Sequence, residues 1–228
     1  MFLPFFIYCI GEIMKYKILI FIVILILVGT IYQIQSKNNK KYEKYIVVID
    51  PGHGGRDQGA SRKNVYEEDI NFEVCLYLKQ LLEVNDITVI MTRTSDVDLA
   101  SSGSKNRKRE DLKNRVSIMN TGNVFVSIHM NISSDSRVSG SQVFYGKDDS
   151  LDLANCIQGQ LQQLNASKFS ATSGDYYILR NTNVEGVIVE CGFLSNENDR
   201  EKLQESKYQE DLAYAICKGI LEYKNGVK

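Results

Sequence analysis

Hydrophobic positions along the chain fall into three patterns. From Ile18 to Val28 every residue is apolar, and no charge appears before Tyr32. Four later runs are short and rich in β-branched residues: Ile46-Val47-Val48-Ile49, Ile87-Thr88-Val89-Ile90-Met91, Val124-Phe125-Val126-Ser127-Ile128 and Gly186-Val187-Ile188-Val189. Such runs predict strands buried on both faces. Between them the apolar residues recur at helical spacing. Ile70, Val74, Tyr77, Leu78 and Leu81 give a helix opened by Glu67-Glu68-Asp69, whose carboxylates suit the positive end of its dipole. Leu112, Val116 and Met119 give a short helix over Asp111 to Asn120, and Leu153, Ile157, Leu161 and Leu164 another. Tyr208, Leu212, Ala215, Ile216, Gly219, Ile220 and Tyr223 form a closing helix. Gln142 to Tyr145 and Tyr176 to Arg180 read as two further short strands, and residues 95 to 109 as a surface loop. Strands alternating with helices on this scale predict an α/β fold, a single three-layer domain whose mostly parallel twisted sheet is covered by helices on both faces.

The amino terminus is a different material. Its apolar run is long enough to cross a bilayer, and Lys15 and Lys17 precede it as in an export signal, so Met14 is a candidate start as well as Met1. No small-x-small pattern follows the run, which predicts an uncleaved anchor over residues 1 to 32. Residues 33 to 44, polar and lysine-rich, read as a solvated tether, and residues 45 to 226 as the catalytic domain. Lys37, Lys40, Lys41 and Lys44 on the far side of the run run against a strict positive-inside count, but long domains are exported with little regard to flanking charge. A formal net charge of −1 gives no reason to expect a nucleic-acid partner. The five cysteines are scattered without a C-x-x-C pair, so neither a disulfide framework nor a cysteine zinc cluster is expected, and most read as small core residues.

The chemistry is concentrated at strand ends. The chain has two histidines, and each follows a buried run: His53 in Asp50-Pro51-Gly52-His53-Gly54-Gly55 and His129 after Ile128. Glu190 holds the same place after Val189, where a carboxylate is costly unless paired, protonated or near a cation. Parallel strands bring all three ends to one edge, where ligands bind in open α/β sheets. Two imidazoles and a carboxylate suit zinc, with a fourth position left to water and a further carboxylate free to act as base. Glu67, at a helix start soon after His53, is a candidate third ligand among neighbouring carboxylates.

Four segments, in order and spacing, resemble the zinc-dependent N-acetylmuramoyl-L-alanine amidases. They are Asp50 to Gly55, Glu67-Glu68-Asp69-Ile70-Asn71, Ser127-Ile128-His129-Met130-Asn131 and Glu190-Cys191-Gly192-Phe193-Leu194-Ser195-Asn196. The resemblance runs from about Tyr45 to Tyr223. It implies hydrolysis of the amide between the lactyl group of muramic acid and the L-alanine of the peptidoglycan stem peptide. It also implies one Zn2+ per chain on His53, Glu67 and His129, Glu190 as the catalytic glutamate, and a substrate contact at Arg180. The choice of Glu67 over Glu68 rests on this resemblance.

Asn106 to Val116 resembles the germination-specific subgroup of endospore formers, and the Lys, Asn and Ile content fits a low-GC Gram-positive source. The subgroup implies a role in converting cortex muramic acid to its δ-lactam. It also implies an exported, membrane-anchored enzyme on the outer face of the cell membrane, in the space between forespore membranes. Two features depart from relatives. Val184-Glu185-Gly186 stands where a proline is usual, and Asn131 to Gln142 is too short for the helix that plugs the site in some of them. With no plug and no wall-binding repeat, activity is expected to be limited by the membrane tether or by an activating partner protein. The competing readings are a zinc peptidase cutting within the stem peptide and a non-catalytic peptidoglycan-binding module.

Overall fold

The computed structural model describes the backbone of residues 3–38 and 44–226, and the side chains of 14–33 and 44–226. The chain divides into two compact units, Met1–Glu43 and Lys44–Lys228. The first is a helix, α1 (Leu3–Asn38). Within it Met14–Gln33 has mean hydropathy 2.3 and is long and apolar enough to cross a membrane. The helix continues to Asn38, through residues expected to begin the polar tether; the rest of that expected tether, 39–43, lies outside the described residues.

The second unit is the predicted α/β domain. Its chain order is β1 (Ile46–Pro51), a hairpin of β2 (Ser61–Arg62) and β3 (Val65–Tyr66), α2 (Glu67–Val84), β4 (Thr88–Met91), α3 (Arg107–Met119), β5 (Val124–Asn131), β6 (Gln142–Tyr145), α4 (Leu151–Asn165), β7 (Thr172–Ser173), α5 (Tyr177–Asn181), β8 (Glu185–Phe193), α6 (Glu197–Leu203) and α7 (Ser206–Lys224). The sheet order is β4-β1-β5-β8-β6-β7. All neighbours are parallel except β6 against β8.

Alternation along the strands sorts residues onto two unequal faces. Val47, Ile49, Val126, Ile128, Val187 and Val189 point to the larger core beneath α2, α4 and α7. Val48, Phe125, Ile188 and Phe144 point to the other face, which α3 and the single turn of α5 cover. Asp50, Ser127, His129, Glu190 and Gln142 share the second face by the same parity. The chemically active residues therefore lie where helical cover is thin.

The structure differs from the sequence reading in several places, and the hairpin of β2 and β3, strand β7 and helix α6 have no counterpart in it. The segment expected as a strand over Tyr176 to Arg180 is a helical turn. Arg180 N donates to Tyr176 O (3.1 Å) and Thr182 N to Ile178 O (3.2 Å), while the Thr182 hydroxyl caps the same carbonyl. A run this short carries no period to separate strand from helix. Helix α3 starts at Arg107, inside the expected loop, because the Asn106 side chain accepts from Arg109 N and caps the end. Finally, His129 and Glu190 lie within β5 and β8 rather than beyond them. Cys75, Cys191 and Cys217 are buried free thiols, as core residues should be.

Candidate active site

Strand β1 stops at Pro51, and after Gly52 three residues turn through positive φ: His53 (62°), Gly54 (122°) and Gly55 (65°). The turn is locked by paired backbone bonds between Gly54 and Asp57, and Gly52 N donates to Ile128 O on β5 (3.0 Å). It aims the His53 imidazole back across the sheet edge. Asp57 Oδ2 lies 3.1 Å from His53 Nδ1, which leaves Nε2 facing Glu67 Oε2 at 3.3 Å. A carboxylate on the rear nitrogen is the usual way to fix the tautomer of a metal-binding histidine. From β5, His129 Nδ1 approaches Glu67 Oε1 at 2.9 Å, and the two imidazoles meet edge to face with centroids 5.0 Å apart.

Glu67 is the first residue of α2 and is 3 % exposed. Its carboxylate also accepts from Ala60 N (2.6 Å), Met130 N (3.1 Å) and Asn71 Nδ2 (3.4 Å). Burial alone would favour the acid form, but the two histidines hold Glu67 ionised, well below the usual carboxylate range. Its neighbour Glu68 turns away. Burial and the nearby Asp96 carboxylate push the Glu68 pKa up to about 7. Of the carboxylates left open by sequence, the structure brings Glu67 to the histidines.

Glu190 pairs in register with His129 on one side and Gln142 on the other. It is 8 % exposed, and its Oε2 has no hydrogen-bond partner among the described residues. Burial lifts its pKa to about 7, opposed by His129 and reinforced by Glu67. A cavity of about 60 Å³ opens on this face, lined by His53, His129, Lys108, Leu112 and Ile178 among others. Arg180, predicted to touch substrate, does not line it; half exposed on α5, it forms an ion pair with Asp175.

His53, Glu67 and His129 each present a ligand atom within 4.8 Å of the other two. Tetrahedral zinc with bonds of about 2.1 Å sets its ligand atoms roughly 3.4 Å apart. The observed contacts are of that size but run to the two different oxygens of Glu67, 2.9 Å from His129 Nδ1 to Oε1 and 3.3 Å from His53 Nε2 to Oε2, so a shared ion asks the carboxylate to turn. Three protein ligands leave a fourth position, and the orphaned Glu190 oxygen sits on the same face, as a proton acceptor beside it would.

Two glycines are built into the cluster. A Cβ on Gly52 would clash with the His129 ring at 2.2 Å, and one on Gly59 (φ 69°) would meet Glu67 Oε2 at 2.5 Å. Gly52→Ala is therefore expected to push His129 out of place and to lower zinc affinity at least as much as losing a supporting partner, about 10–100-fold. A competition titration against a chelating dye checks this.

Sequence reasoning did not reach Asp57, Asn71, Arg93 or Arg115. Asp57 lies in a polar glycine-rich loop that looks solvated. The one available signal was charge inside apolar pattern: Asp50 ends a Val-Val-Ile run, is 1 % exposed, and meets Arg115 Nη1 at 2.7 Å.

Comparison with known proteins places this geometry. The family described as N-acetylmuramoyl-L-alanine amidase matches residues 47–222. The germination-specific N-acetylmuramoyl-L-alanine amidase of Bacillus subtilis (strain 168) is 35% identical over 225 residues, covering 92% of this chain and 95% of that protein. Among solved structures, the CwlD amidase of Clostridioides difficile, determined in complex with the GerS lipoprotein, is 37% identical with a TM-score of 0.76, over 80% of this chain and 99% of that one. The catalytic domain of CwlV, an N-acetylmuramoyl-L-alanine amidase from Bacillus (Paenibacillus) polymyxa var. colistinus, is 32% identical with a TM-score of 0.70, over 79% and 98%.

Proposed function

The chain belongs to the N-acetylmuramoyl-L-alanine amidase family, and from that premise we propose that it binds one zinc ion through His53, Glu67 and His129 and uses Glu190 as its proton carrier. The observation that carries this reading is the convergence of those three ligand atoms within 4.8 Å, with Glu190 in register beside His129. Zinc, when bound, supplies Lewis-acid polarisation of the scissile carbonyl and acidification of a water. Glu190 takes a proton from the attacking water and returns it to the alanine nitrogen as the C–N bond breaks. Asp57 holds the His53 ring, and Ala60 N, Met130 N and Asn71 hold Glu67 in its charged form. The bond cut is the amide joining the muramic acid lactyl group to the stem-peptide alanine.

The substrate setting follows from the relatives. The similarity to the Bacillus subtilis germination-specific enzyme supports a germination role, and with it the cortex δ-lactam role that the subgroup resemblance implies. Residues 1–32 anchor the enzyme, 33–44 link it, and 45–226 form the catalytic domain. The apolar helix supports membrane anchoring, and the cell-wall substrate of the family supports the outer face of a Gram-positive membrane, in the space between forespore membranes. The Clostridioides difficile relative, solved with a lipoprotein, supports an exported partner protein for this chain too.

The test is mass spectrometry of cortex peptidoglycan fragments incubated with residues 44–228, with and without a zinc chelator. Intact stem peptides with a free N-terminal alanine should appear, and the chelator should abolish them. Cleavage inside the stem peptide would instead make the chain a peptidase.

A further inference from the structure

The two buried arginines at the base of the site make eight hydrogen bonds between them. Arg93, which follows β4, is 3 % exposed, and Arg115 on α3 is 2 % exposed. Arg93 Nε donates to Pro51 O (3.0 Å), and its Nη1 to Ser95 O (3.1 Å). Its Nη2 is shared between Gly52 O (3.3 Å) and Glu68 O (2.9 Å). Arg115 Nη1 donates to Pro51 O (2.8 Å) and Asp50 Oδ1 (2.7 Å), its Nη2 to His53 O (2.6 Å), and its Nε to Asp111 Oδ2 (2.8 Å). The carbonyls of Pro51, Gly52 and His53, which the positive-φ turn removes from the sheet, are thus each held by a guanidinium.

These contacts join the ligand-bearing segments without touching a ligand side chain. One nitrogen of Arg93 ties the residue before His53 to the residue after Glu67. Arg115 holds Asp50, whose other carboxylate oxygen accepts from Ser127 Oγ (2.6 Å), two residues before His129. Burying a guanidinium is costly unless it is well paired. Arg115 has two carboxylates as partners, whereas Arg93's four bonds all go to carbonyls, with the Phe72 ring 5.1 Å from its centre. Packing alone gives little reason for such an arrangement. Only a planar fork spans several carbonyls at once, which lysine does not do.

We propose that Arg93 and Arg115 are positioning residues that preset the spacing of His53, Glu67 and His129 and so determine how tightly the site holds its metal. The inference rests on the zinc reading above. Metal affinity and the visible spectrum of the Co2+-substituted protein, measured on the full chain in detergent, test it without recourse to turnover. Arg93→Lys and Arg115→Lys should each weaken zinc binding by about tenfold or more, the size seen when outer supports of a zinc site are lost. Both should also alter the Co2+ bands. Arg200→Lys is the control: Arg200 is also buried, at 5 % exposure, but its side-chain bonds go to the Leu194 carbonyl (3.0 Å) and Glu197 (3.4 Å), neither next to His53, Glu67 or His129, and it meets the ligand strands only through the Leu194 amide on Asn131. It should lose stability yet keep wild-type affinity and spectrum. If a lysine variant does not fold, Asp111→Asn, which strips the charge from one partner of Arg115 at a partly exposed position, should still weaken zinc binding measurably. Wild-type affinity and bands in the folded arginine variants, or in Asp111→Asn, would overturn the proposal. A wild-type chain that binds no zinc would instead overturn the zinc reading on which it stands.

Discussion

Glu190→Gln is expected to lower kcat by about 10²–10⁴-fold, the usual worth of a positioned general base, while leaving bound zinc at the wild-type level. Glutamine keeps the shape and the register opposite His129 but can neither take nor return a proton. Metal analysis paired with turnover on cortex fragments reads both halves of the expectation, and undiminished turnover would remove Glu190 from the mechanism. The pH profile gives a second check. Glu190 works as a base only when ionised, and burial lifts its pKa to about 7. A cation held by the neighbouring ligands favours the ionised form and pulls that value down. The acid limb of kcat/KM in the zinc enzyme should therefore lie below pH 7, falling about tenfold per unit on its steep part. Residual activity in Glu190→Gln should lack that limb.

His53→Ala should lose zinc and turnover together. Removing a direct ligand costs more than the about 10–100-fold attached to a supporting group. The Glu67 carboxylate would also lose one of the two imidazoles that keep it ionised in a buried place. Backbone strain complicates the alanine variant, since position 53 has φ 62° and left-handed geometry costs an ordinary L residue roughly 1–2 kcal/mol. His53→Asn separates the effects, because asparagine tolerates that region. The asparagine variant should be the more stable of the two by thermal melt and equally depleted of zinc by metal analysis. If it kept its zinc, His53 would not be a ligand.

The residues that sequence made legible share a physical cause. β1, β5 and β8 are buried on both faces, so their runs are apolar but for Ser127, and a histidine or carboxylate at their ends stands out. Glu67 was harder: three adjacent carboxylates all suit a helix start, and only the fold reveals that Gly59 and the Ala60 amide leave room for one. The start of α3 and the helical turn of α5 were misread because each is decided by a few local bonds, from Asn106 and Thr182, that leave no periodic trace. Arg93 and Arg115 were out of reach for another reason. Their bonds to the turn that carries His53 reach residues about 40 positions from Arg93 and about 60 from Arg115, mostly backbone carbonyls, which are the same in every sequence.

The uneven covering of the sheet has a consequence for how the enzyme meets its polymer. Its mass lies behind the site, under α2, α4 and α7, and the reacting groups face outward beside a cavity of about 60 Å³. That space holds a few waters and the edge of an amide, not a sugar ring or a peptide chain. Strand and stem must therefore remain outside while one bond is offered to the floor. An open face of this kind lets the polymer reach the groups at the sheet edge from the side.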